Sequence, residues 1–79
     1  MPLQFESEKK SGYQKYIAAK AKTRLGEERL VGEIVQYQGH SVYVGRFFPT
    51  RGEPIVLDFE RHNHAATWLA WKAGRNGIG

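Results

Sequence analysis

Asp58, Glu60, His62 and His64 alternate along the chain and are the side chains whose types could bind a metal or move a proton. On an extended strand they would line one side, with His40 as a third imidazole. A zinc or catalytic metal needs three or four donors converging on one point. Residues two apart on a strand sit roughly 6–7 Å from one another, and a helix starting near Asn63 would break the line. These groups therefore read as a polar strand edge and a helix entry, with no metal site. His62-Asn63-His64 spells the name of a nuclease motif, but that motif takes its residues from separate positions on a hairpin and a helix. There is no Ser–His–Asp arrangement, no glycine-rich phosphate loop ending in Lys-Ser or Lys-Thr, and no carboxylate pair with room for a pocket. The expectation is a protein that is not an enzyme and takes no cofactor.

What remains is charge and tryptophan. Between Lys9 and Arg24 lie six cations (Lys9, Lys10, Lys15, Lys20, Lys22 and Arg24) and no acid. An ordinary solvated helix face mixes signs, because Glu–Lys pairs four apart support it, whereas a one-sign face suits a row of phosphates. With a net charge of +4, this points to a small nucleic-acid-binding protein, for RNA or DNA. Its phosphate contacts would come from Lys15, Lys20, Lys22 and Arg24 on a first helix, joined by Arg46, Arg51 and Arg61 from a sheet and its loop. Tyr16 and Tyr37 read first as packing residues, with stacking on bases as the alternative role for either. The rival reading is a small interaction protein of the kind phages and mobile elements carry. It would regulate or inhibit a larger partner by docking Trp68, Trp71 and Lys72 on an acidic protein surface, since tryptophans dominate binding hot spots.

Both readings depend on the elements that position these groups. Ser11-Gly12-Tyr13-Gln14 matches a capping box. At about 100° per residue, Tyr13, Ile17, Ala18, Ala21 and Leu25 form one stripe, and Gly26 stands where a C-cap belongs. A first helix is therefore predicted, with Lys15 and Lys22 opposite its apolar stripe. Leu30–Gln38, Ser41–Phe48 and Ile55–Phe59 are rich in β-branched and aromatic residues and predict three strands. Gln38-Gly39 suits a type I′ turn, which sets Ile34 against Tyr43, Gly32 against Gly45 and Leu30 against Phe47. A patch without side chains in mid-sheet lets a helix approach closely. In the third strand Ile55, Leu57 and Phe59 share a face. A second helix opens after Asn63 as N-cap and closes before Gly74, with Trp68 and Trp71 off the side that carries Leu69.

The fold class expected is α+β: one small domain, helix–three-stranded antiparallel sheet–helix (α-β-β-β-α), over residues 11–73, between flexible tails at 1–10 and 74–79. That order resembles double-stranded-RNA-binding domains in topology alone. Their last helix opens on a run of lysines, where this one opens on Arg61-His62-Asn63-His64, so no family is assigned. With no cysteine, neither a disulfide nor a thiolate metal site can staple the domain. No apolar run approaches the roughly 18–20 residues of a membrane span, and the N-terminus lacks a secretory leader. A cytoplasmic protein away from membranes is expected, and its oligomeric state is left open.

Overall fold

Tyr13–Lys22 is a strand, not a helix, and this changes the architecture. In the computed structural model, which describes residues 3–22 and 25–75, five strands follow one another: β1 (Gln4–Glu8), β2 (Tyr13–Lys22), β3 (Glu28–Tyr37), β4 (Tyr43–Phe47) and β5 (Ile55–Phe59). They pair antiparallel in chain order as a single sheet. One helix, α1 (His62–Arg75), follows and packs on β3, β4 and β5. The expected α-β-β-β-α order is thus corrected to β-β-β-β-β-α.

The supposed helix cap is a hairpin turn. Gly12 takes φ +87° and the Tyr13 N–H donates to the Lys10 carbonyl at 3.3 Å. Downstream, Ile17, Ala19 and Ala21 join the core beneath α1, while Tyr16 and Ala18 cluster with Val35 on the other side of the sheet. That is a period of two. Alanine's preference for helix is worth only some tenths of a kcal/mol per residue, and β2 is paired along both edges, by β1 and β3. The N-terminal stretch read as a tail contains β1, which pairs with β2 from Gln4↔Lys20 to Glu8↔Tyr16. Leu3, just before it, packs on the core.

The three strands expected from sequence, β3, β4 and β5, lie close to their expected positions, with β3 and β4 in a different register. Gly32 pairs with Phe47, Glu33 with Arg46 and Ile34 with Gly45, two residues from the register that a type I′ turn would set. The tight turn does form, with the His40 N–H donating to the Tyr37 carbonyl at 3.1 Å. Only Gly39 has positive φ, +79°, and Gln38 does not. A type I′ turn needs both, and a turn with positive φ at its second central residue alone splays the strands. Pairing between β3 and β4 therefore resumes only at Val35↔Val44. A shift of two keeps each side chain on its face, so Ile34, Tyr43 and Phe47 still point to the core. Leu30 does not. Val31 is the extra residue between the pairs Ala19↔Gly32 and Lys20↔Leu30, and this bulge buries Val31 and leaves Leu30 exposed.

Helix α1 docks through Ala65, Leu69 and Ala73, four residues apart and buried. Burying Leu69 stabilises the domain by roughly 1.5–3 kcal/mol. The glycines make room for it, as their position in mid-sheet implied. A Cβ on Gly32 would lie 2.6 Å from Leu69 Cδ2, and one on Gly45 would lie 3.3 Å from Trp68 Cζ3. The helix starts at His62, so Asn63 lies inside it and is not the cap. It runs on to Arg75 and absorbs two residues assigned to the C-terminal tail.

Candidate interaction surfaces

With α1 on one face, the other face of the sheet is open, and a polar network has formed there. Glu33 and Arg46 are direct partners across β3 and β4, with Nη1 3.4 Å from Oε1. Tyr16 donates its hydroxyl to the other Glu33 oxygen, and Arg46 Nη2 donates to the Tyr37 hydroxyl at 2.7 Å. Tyr13 faces Tyr37 across β2 and β3; its ring centroid is 5.2 Å from that of Tyr37 and 5.7 Å from that of Tyr16. Lys10 Nζ caps the Tyr16 ring at 4.1 Å. Tyr16 is only 4% exposed, and burial first, then its bond to Glu33, pushes its hydroxyl pKa above the usual tyrosine value. Tyr16 on β2 and Arg46 on β4 both donate to Glu33 on β3, so the cluster braces three neighbouring strands.

The cations that suggested phosphate binding do not all share one surface. Alternation along β2 sends Lys15 to one face of the sheet and Lys20 and Lys22 to the other, so the expected basic helix face is replaced by two sparse rows. Lys20 lies 3.0 Å from Glu6 and 3.9 Å from Glu28, and its hydrogen bond to Glu6 raises its pKa. Arg46 is committed to Glu33 and Tyr37. Arg51 is exposed in the β4–β5 connection. Arg61 is exposed at the entrance to α1, beside a shallow cleft lined by Tyr43, Glu60, His62 and Asn63. Arg24 lies outside the described residues. Glu6, Glu8, Glu28, Glu33 and Asp58 share the open face with Lys20, Lys22 and Arg46, as the strand pairing requires.

The two tryptophans have separate environments. Trp68 packs on the Phe59 ring, centroids 5.4 Å apart, above Gly45. Trp71 is 54% exposed. Lys72 Nζ lies 5.5 Å from its ring centroid and the Arg75 guanidinium carbon 5.1 Å. Arg75 escaped the sequence reading because it was assigned to a tail; its spacing of four from Trp71 was the available signal. The last turn of α1, which holds Lys72 and Arg75, also suits cations by its dipole.

A groove opens on the helix side of the sheet where α1 stops short of β1. Phe5 and Ser7 of β1, Ile17 of β2 and Ile34 of β3 face His62, Asn63, Ala66 and Thr67 of α1 across about 450 Å³. Phe5, assigned to a tail by sequence, is one wall of it. The described residues contain no group of three His, Asp or Glu able to hold a metal, and α1 breaks the alternation of Asp58, Glu60, His62 and His64. Among them, no helix is long and apolar enough to cross a membrane. Compared with protein families, curated proteins and solved structures, the chain matches none.

Proposed function

We propose that this chain is a small, non-enzymatic, cytoplasmic protein-binding module that regulates or inhibits a larger partner by docking α1 on an acidic protein surface. The observation that carries this is Trp71, 54% exposed between Lys72 and Arg75 on a helix that is otherwise well seated. Its uncovered area is on the order of 100 Å², so burial in an interface would supply about 2.5 kcal/mol. An aromatic plate flanked by cations favours a partner site that is apolar at its centre and acidic at its rim. Trp68, packed at a tilt against Phe59, belongs to the fold.

Nucleic-acid binding has less support, because β2 divides its lysines between two faces and Lys20 and Arg46 are occupied by carboxylates. Tyr13 and Tyr37 beside Lys10 are the features that still favour it, as a short stacking platform on the open face.

A photo-crosslinking residue at position 71, in nuclease-treated cell extract, tests the proposal. The expected result is one discrete acidic protein, lost when Lys72 and Arg75 are both changed to Glu and not captured from position 64 on the same helix. Trp71→Ala should leave the melting temperature within a few degrees, whereas Trp68→Ala should cost roughly 3 kcal/mol. Nucleic acid retained at low salt and shed at high salt, with no protein captured at position 71, would replace this reading with the other.

A further inference from the structure

We propose that the outer edge of β1 is a strand-addition site for an extended peptide of alternating apolar and basic residues. This surface is separate from Trp71 and does not depend on it. β1 is an end strand of the sheet and, among the described residues, pairs only with β2, so one row of its backbone N–H and C=O groups faces outward. Proteins blunt such edges with proline, charged side chains or a bulge. Gln4–Glu8 has no proline and no bulge, running in unbroken register from Gln4↔Lys20 to Glu8↔Tyr16, and its only charges, Glu6 and Glu8, are of one sign and both on the open face.

The two sides of that edge present different chemistry, and together they specify the ligand. On the α1 side stand Phe5 and Ser7. Beyond them lies the groove, floored by Ile17 and Ile34 and closed by Ala66 and Thr67. An added strand runs roughly 4.8 Å outside β1, and the small Ser7 leaves a gap through which a large apolar side chain can lean into the groove. On the open side stand Gln4, Glu6 and Glu8, all exposed. Glu6 is held by Lys20, and Glu8 makes no ion pair among the described residues. The alternate side chains of the added strand therefore gain from being Lys or Arg. Backbone pairing supplies affinity and the groove supplies selectivity, the division of labour in strand-addition complexes. The same acids disfavour a second copy of the chain: β1 paired antiparallel with itself about Ser7 would set Glu6 against Glu8 twice.

The test uses the full chain and the capped peptide acetyl-Lys-Phe-Lys-Val-Lys-Thr-amide, followed by amide chemical shifts and calorimetry. The expected result is saturable binding with shifts centred on Phe5–Glu8. Affinity should fall at least tenfold when the peptide Phe becomes Ala, and when alternate peptide nitrogens on one edge, then on the other, are methylated, one of the two should abolish binding. Glu8→Lys should narrow or reverse the preference for this peptide over its Glu-for-Lys counterpart, and Trp71→Ala should leave binding unchanged. Ala66→Phe, which fills the groove, should weaken binding tenfold; the peptide-side Phe→Ala result keeps the test intact if that variant unfolds. The proposal is overturned if no binding occurs at millimolar peptide, if neither methylated peptide loses binding, if the shifts centre on Trp71, or if β1 instead drives self-association.

Discussion

Adding one methyl group at Gly32 tests how α1 is seated. The new Cβ would lie 2.4 Å from the Arg46 carbonyl oxygen and 2.6 Å from Leu69 Cδ2. The first is backbone of the neighbouring strand, so either β3 and β4 separate or α1 lifts. Overpacking of this kind costs about 1–3 kcal/mol, and contact with backbone puts Gly32→Ala at the upper end. The φ of Gly32 is not positive, so alanine also restricts the unfolded chain and returns about 0.4–1 kcal/mol. The net loss is about 2 kcal/mol, against a total of roughly 4–12 for a chain of this size. In thermal unfolding this is a fall of roughly 8–16 °C. Gly45→Ala is the control. Its Cβ would meet Phe59 Cε2 at 2.9 Å and Trp68 Cζ3 at 3.3 Å, ring atoms that can swing aside, so its cost should stay below about 1 kcal/mol. Leu69→Ala alone should cost about 2–5 kcal/mol. Combined with Gly32→Ala it should cost about 1 kcal/mol less than the sum, because the new Cβ occupies part of the emptied space. Additivity within about 0.3 kcal/mol, or a Gly32→Ala protein as stable as the parent, would refute the placement of α1 over Gly32.

The Tyr16 hydroxyl has a raised pKa in the folded chain. Its proton is therefore lost first from the unfolded chain, near pH 10, and stability falls as pH rises from there. Urea midpoints across roughly pH 9–11 should decline more steeply for the parent than for Tyr16→Phe; Lys20, whose raised pKa acts in the same direction, is present in both proteins and cancels. Equal slopes would mean that the Tyr16 hydroxyl is neither buried nor held against Glu33. Gly39→Val should cost about 1–2 kcal/mol, because a β-branched side chain resists positive φ, and an unchanged melting temperature would remove the Tyr37–His40 turn.

The parts of the fold legible in sequence are those where only one period fits. Ala65, Leu69 and Ala73 with two intervening tryptophans fit a helix, and Ile55, Leu57 and Phe59 fit a strand; both elements are present. Tyr13–Lys22 fits two periods. Ile17 and Ala21 are four apart, as a helix stripe requires, and with Ala19 they also form one side of a strand. Ser11-Gly12-Tyr13-Gln14 likewise suits a cap or a turn. The ambiguity is resolved by strand partners at a distance, since β2 needs β1, whose only large apolar side chain is Phe5. Turn type was hidden for a related reason: type I′ depends on the φ of Gln38, which residue identity leaves open.

Misreading one element also misread its chemistry. Of the six cations in sixteen residues, Lys15, Lys20 and Lys22 lie on β2, where alternation divides them between two faces, so the phosphate-binding argument depended on a period that β2 does not have. Neutralisation was equally out of reach, because Lys20 and Glu6 are fourteen residues apart and Arg46 and Glu33 thirteen, beyond any local pattern. The tryptophans are the opposite case. At 3.6 residues per turn, Trp71 stands roughly 200° around the axis from Leu69 and Trp68 roughly 100°. Once Leu69 marks the docked side, Trp68 must flank the interface and Trp71 must point away from it. That inference needed no partner strand and no long-range pairing, and Trp71 is the more exposed of the two. Local helical geometry therefore fixes the exposure of Trp71 more securely than a count of charges fixes a basic face.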